Sequence, residues 1–89
     1  FLQMFKDAGY EKNYVYGPCH GTGMIEVEAP WMETSTHYPL EENMTFQIDT
    51  FISGPTFGCR WEKGIAVKEN GILSMTDYLE KNGIIELDF

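Results

Sequence analysis

Two ten-residue runs constrain this chain more than anything else in it. Residues 43–52 read NMTFQIDTFI and residues 59–68 read CRWEKGIAVK. In the first run, Met44, Phe46, Ile48, Thr50 and Ile52 fall on one side of an extended strand. Thr45, Gln47, Asp49 and Phe51 fall on the other. That alternation is the period of a strand, whose successive side chains point to opposite faces. The segment SGPTFG between the runs carries the Gly and Pro of a turn or hairpin loop. Gly64 marks a candidate bulge in the second run. A chain with these two strands at its centre must build a sheet and find cover for one face of it.

The flanking segments add short helices and further strands. Residues 1–8 read as the tail of a helix, with Leu2, Phe5 and Ala8 toward a core and Gly9 as its stop. Residues 9–13 (GYEKN) form a turn. The stretch MIEVE at 24–28 alternates, with Met24, Glu26 and Glu28 opposed to Ile25 and Val27, and is expected to be a strand. Residues 29–42 read as a long loop containing Pro30 and Pro39. Asn70-Gly71 suits a hairpin turn. Residues 76–82 (TDYLEKN) form a short helix with Thr76 as N-cap and Gly83 as its end. A last short strand is expected in IIELDF. The fold class is α+β.

Composition narrows the functional classes. With 43% apolar and 15% aromatic residues, the 89-residue chain is globular rather than disordered, and is one small domain or part of a larger one. Six scattered basic residues against a net charge of −8 exclude a nucleic-acid partner, which needs clustered Lys and Arg. No apolar run approaches the roughly 20 residues of a membrane span. Lys6 and Asp7 stand too early for a secretory leader. Cys19 and Cys59 are too few for a disulfide scaffold and are expected to be free thiols in a reducing compartment, hence a cytoplasmic protein. The opening FLQMF lacks an N-cap and reads as the middle or end of a helix, so the chain is expected to be cut from something longer.

Three residues stand out chemically. Residues 16–30 read YGPCHGTGMIEVEAP, and place His20 in a glycine-rich bend that lets a ligand or backbone approach closely. Asp49 lies mid-strand, where Asp is poorly favoured. Glu62 lies mid-strand beside Trp61. One imidazole and two carboxylates suit a divalent cation such as Zn, Mn, Fe or Co. The same acids equally suit a solvated strand face. Glu33 and His37 read as exposed loop residues, Glu26 and Glu28 as the polar side of a strand. Trp31, Phe46, Phe51 and Trp61 read as core.

Order and surroundings favour the cation. His20-Gly21-Thr22-Gly23 through Glu28-Ala29-Pro30 resembles the HGxG…HEAP block of the pita-bread metallohydrolases, which include methionine aminopeptidases, Xaa-Pro aminopeptidases, prolidases and creatinase. Residues 40–49 (LEENMTFQID) resemble that family's L-x-x-G-M-x-F-x-I-E block, and residues 57–62 (FGCRWE) its G-x-R-I-E block. The strand after Glu62 and the Asn70-Gly71 turn are similar to the family's V-x-V-T-x-x-G ending. The resemblance covers nearly the whole chain. It implies the C-terminal half of a pita-bread (creatinase/aminopeptidase-like) fold, a mostly antiparallel curved sheet with short helices. Residues 1–89 would then be a partial catalytic domain.

The resemblance also implies a chemistry. Family members hold two divalent ions (Mn, Co, Zn or Fe) with two aspartates, one histidine and two glutamates, and the ions activate water. His20 matches the histidine, Asp49 the first glutamate and Glu62 the second; the two aspartates lie upstream of the matching region. Asp49 and Glu62 would be catalytic as well as ligating, with Asp49 the general base. Arg60 would orient the carboxylates or contact substrate. The implied activity is hydrolysis of an Xaa-Pro peptide or related small amide by the full-length protein, with this piece alone inactive. The implied assembly is a homodimer, with a small peptide or amide as the only other partner.

Three departures from the family pattern bear on this. Asp49 is one methylene shorter than glutamate. Val27 replaces the histidine of the HE pair, and valine cannot donate to a developing oxyanion. Lys63 stands where relatives often have Asp. Two alternatives therefore accompany the peptidase: a binding or structural relative on the same scaffold, or a hydrolase or lyase for a non-peptide small substrate. A free-standing acidic α+β module that self-associates through an open sheet edge is the third reading.

Overall fold

A computed structural model describes residues 1–33 and 35–88. Helix α1 spans Leu2–Asp7 and a 3-10 turn spans Glu11–Asn13. Six strands follow: β1 Tyr14–Tyr16, β2 Cys19–Gly21, β3 Glu28–Met32, β4 Thr45–Ser53, β5 Gly58–Lys68 and β6 Gly71–Ser74. Helix α2, Asp77–Asn82, comes last. The strands form one antiparallel sheet in the order β3-β2-β4-β5-β6, with β1 also paired to β4.

The two constraining runs are the two long strands. They pair without interruption from Thr45↔Ala66 to Ser53↔Gly58. No bulge occurs at Gly64, which pairs regularly with Gln47. Glycine is used there for space: an added Cβ would lie 3.2 Å from Met75 Cε and 3.5 Å from Gln47 Oε1. Strand β4 begins two residues later than the alternation suggests. Asn43 takes a left-handed conformation (φ 71°), which Asn tolerates, and ends the preceding turn. Its N–H donates to Val67 O at 2.9 Å, while Lys68 Nζ donates to its Oδ1 at 2.9 Å.

β1 and β2 lie end to end along the same edge of β4, interrupted at Gly17-Pro18. Across the gap, the Asp49 N–H donates to Pro18 O at 3.1 Å. Gly17 has φ +142°, and a Cβ there would lie 3.1 Å from Asp49 O and 3.3 Å from Thr50 Oγ1. Gly17→Ala is therefore expected to cost about 1–3 kcal/mol, the usual range for a residue held in a disfavoured backbone region. A thermal melt checks this, and an unchanged Tm would show that the junction relaxes freely.

Four sequence expectations are corrected. His20 lies in strand β2, not in a bend. Residues 24–27 form no strand: they belong to a compact loop in which Ile25 N–H donates to Glu28 Oε2 at 3.3 Å and Gly23 N–H to Ile25 O at 3.2 Å. The strand starts instead at Glu28 and runs through Pro30, inside the stretch read as a loop. Proline is tolerated because β3 is an edge strand, and Ala29 and Pro30 bulge out between the pairs Gly21↔Glu28 and His20↔Trp31. Residues 84–88 form no final strand; Phe89, the end of that expected strand, lies outside the described residues, as does Thr34 of the expected loop.

The β5–β6 turn falls at Glu69-Asn70, since Lys68 already pairs with Gly71. β6, which the sequence reading left unassigned, pairs with only the Ile65–Lys68 end of β5. Beyond it the chain turns into α2, with Met75 N–H donating to Gly64 O at 2.9 Å. Helix α2 has its expected ends, Thr76 before it and Gly83 at φ 71° after it. Thr76 binds Glu80 Oε1 rather than capping the helix backbone. Lys63 Nζ reaches the same Glu80 carboxylate at 2.8 Å, docking the helix beside β5. These contacts, Lys63 foremost, hold the Glu80 carboxyl below the usual carboxylate range.

The apolar core is small. Phe46, Ala66 and Val67 are its buried members, and Phe46 is only 2% exposed. Phe46 pairs with Gly21 on one side and Ile65 on the other, so a large ring sits over a glycine. An added Cβ at Gly21 would meet Ala29 O at 2.6 Å, so β3 crosses too close for any larger residue. A separate aromatic cluster of Phe1, Phe5 and Tyr14 joins α1 to the start of β1. Trp31 and Trp61, expected in the core, are 51% and 63% exposed.

Candidate functional site

Register decides which side chains meet. His20 stands opposite Gln47 across β2 and β4, and Asp49 stands opposite Glu62 across β4 and β5. Gln47 and Asp49 are two residues apart and share a face. Directly opposed residues also share a face. His20, Gln47, Asp49 and Glu62 therefore lie together, joined by Arg60, which is two residues from Glu62. Phe46 is on the opposite face.

His20 and Asp49 are the buried polar residues of this face, at 8% and 5% exposure. His20 Nδ1 lies 2.9 Å from Gly21 O. A carbonyl only accepts, so Nδ1 carries the hydrogen and a neutral imidazole keeps its lone pair on Nε2. Nε2 faces Asp49 Oδ2 across 3.7 Å. Two acceptors facing each other call for a cation between or beside them.

The cation within reach is Arg60. Its Nε donates to Asp49 Oδ1 at 3.1 Å and its Nη2 to Asp49 Oδ2 at 3.0 Å, a bidentate fork. Nη2 also contacts Glu62 Oε1, and Gln47 Nε2 donates to the other Glu62 oxygen at 3.2 Å. The Tyr16 ring lies 5.9 Å below the guanidinium and 5.7 Å from Phe51. Hydrogen bonding to Asp49 is the main cause that holds the Arg60 proton more firmly than in water; nearby Glu62 adds to it.

Of these residues, Tyr16, His20, Asp49 and Arg60 open into a cleft of about 400 Å³, whose walls also include Val27 and Trp31. The Trp31 ring lies 6.4 Å from the His20 ring, directly across the β2–β3 pair. Glu33, read as a plain loop residue, also borders this cleft; His37 is exposed and does not. Cys19 borders it too, and burial pushes its thiol pKa up. Both cysteines are free. A second cleft of about 340 Å³, bordered by Trp61, Leu79, Ile84 and Ile85, is mostly apolar; Glu62 and Glu80 line it, and His20 and Asp49 do not.

The donor set fits a divalent cation in kind. It offers one imidazole nitrogen and two carboxylates, and the imidazole's other nitrogen donates to a backbone carbonyl, the usual outer contact of a ligating histidine. Among the described residues, however, no three such side chains already converge to ligating positions. Arg60 takes both oxygens of Asp49 instead. The sequence singled out His20, Asp49, Arg60 and Glu62, and the structure brings all four together. It missed Gln47, Tyr16 and Trp31. Gln47 alone had a visible signal, its place two residues before Asp49 on the polar side of the strand.

No protein-family model and no curated protein matches the chain. Solved structures do. A dipeptidase, PepE, from Mycobacterium ulcerans is 34% identical over 82% of this chain, with a TM-score of 0.76. An X-Pro aminopeptidase from Thermotoga maritima MSB8 and a prolidase from Pyrococcus furiosus are each 28% identical over 84% of it, with TM-scores of 0.77. The chain spans 20%, 22% and 23% of those three chains, about a fifth of their length. Its antiparallel, curved sheet with few short helices is the architecture of this part of the pita-bread peptidases.

Proposed function

We propose that this chain supplies the imidazole and two carboxylates of a metal-dependent hydrolase site acting on Xaa-Pro peptides or a related small amide. One observation carries the proposal: three adjacent strands bring His20, Asp49 and Glu62 to one face, with His20 and Asp49 at the wall of a cleft of about 400 Å³ and Glu62 joined to Asp49 through Arg60. The solved structures it resembles, among them a prolidase and an X-Pro aminopeptidase, support the substrate class.

Each residue then has a role set by its contacts. His20 offers Nε2, its ring oriented by the Gly21 carbonyl. Glu62 is a ligand held in place by Gln47. Asp49 is a ligand and the acceptor of the water proton, buried where competing solvent is scarce. Arg60 bridges the two carboxylates, and its half-exposed side chain can turn to pair with a carboxylate of the substrate. Val27 and Trp31 supply apolar parts of the cleft wall. When bound, divalent cations would acidify a water and polarise the scissile carbonyl.

Metal content and turnover of the full-length protein test this, measured beside His20→Ala with a panel of Xaa-Pro dipeptides and Mn, Co or Zn. The wild type is expected to retain metal and cleave at least one dipeptide. His20→Ala is expected to lose metal affinity by at least about 10–100-fold, since removing even an outer partner of a ligand costs that much. Metal without turnover would move the assignment to a non-peptide small substrate, which Val27 favours. No metal in the wild type would leave a binding scaffold.

A further inference from the structure

We propose that Arg60 is a built-in competitor for the cation position, so that loading a divalent ion at Asp49 requires the guanidinium to swing away. The inference rests on the hydrolase assignment above and concerns the same site. Its basis is the disparity between the partners. Asp49 has a side chain only 7% exposed and is fixed in the middle of β4, so it cannot leave. Both its oxygens accept from Arg60, at 3.0 and 3.1 Å. The Arg60 side chain is 48% exposed and has solvent to swing into.

The same guanidinium bridges to Glu62, so one positive charge is shared by both acids. A divalent ion would do the same electrostatic task at this pair with twice the charge. An ion bound by Asp49 needs at least one of the oxygens that Arg60 now holds, and two cations cannot share it without repulsion. Among the described residues His20 and Arg60 form no hydrogen bond, and His20 Nε2 faces Asp49 Oδ2 across 3.7 Å, so the imidazole lone pair is not what Arg60 occupies.

Manganese binding to the full-length protein tests this, read from the free-ion EPR signal, with wild type, Arg60→Gln, Arg60→Lys and His20→Ala. Arg60→Gln is expected to bind Mn about 10–100-fold more tightly than wild type, the worth of a hydrogen bond to a charged group. Arg60→Lys, which keeps the charge but loses the fork, should fall between. Saturating Mn should raise the Tm of Arg60→Gln more than that of wild type, since the ion then pairs carboxylates left without a cation. Unchanged or weaker Mn binding in a folded Arg60→Gln would overturn the competition while leaving the hydrolase assignment standing, provided wild-type binding depends on His20. Absence of Mn binding in both wild type and Arg60→Gln would overturn both.

Discussion

Asp49→Asn should lower turnover of a cleaved Xaa-Pro dipeptide by about 10³-fold, within the range that a positioned general base contributes. Asparagine matches aspartate in shape and still offers one acceptor to Arg60. It cannot take the water proton, and it binds a cation poorly. The substitution thus separates chemistry from architecture. Steady-state kinetics on the full-length protein, with circular dichroism as a check on folding, measure it. Turnover within tenfold of wild type would remove Asp49 from both roles.

Phe46→Ala should destabilise the protein by about 3–5 kcal/mol, the usual cost of emptying a fully buried aromatic site. Among the described residues, Phe46 is the largest fully buried side chain, and the other buried apolar residues are Ala66 and Val67. A domain has only about 5–15 kcal/mol to lose, so the variant would be close to unfolding. The glycine at position 21 faces Phe46 across the pair and offers no atoms to refill the space. Urea unfolding with an unchanged m value would confirm the loss; a cost below about 1 kcal/mol would place the core elsewhere.

Strands β4 and β5 were legible because alternation survives where a strand has partners and one buried face. Parity alone put Asp49 and Gln47 together and set Phe46 apart from them. The MIEVE stretch shows the limit. It alternates as well as β4 does, yet Met24 is 98% exposed, since β2 takes the edge of β4 that it would need. Alternation says what a strand would look like, not whether a neighbour is available. β3 was missed for the converse reason: Pro30 reads as a loop unless the strand is known to lie at an edge.

At the site, motif order singled out the acids and the histidine that the register brings to one face. Their pairing with Arg60 was not legible. A spacing of two residues between Arg60 and Glu62 places them on one face, but reaching Asp49 depends on cross-strand register, which arises only when β4 and β5 zip together. Trp31 reads as core because of its size. Only the antiparallel pairing of β2 and β3 sets it opposite His20 and half in solvent.

The sheet order has a consequence for how such a site can change over generations. Asp49 sits on β4, the central strand of the sheet, and Glu62 on its long neighbour. Val27 and Trp31 sit on the loop and edge strand that border the cleft from outside. Drift at the wall therefore leaves the acid pair undisturbed, whereas drift at the pair threatens the whole sheet. On the proposed hydrolase reading, a lineage could explore new substrates residue by residue while the acid pair stays fixed. Valine at position 27 would then be the kind of step that this layout makes survivable.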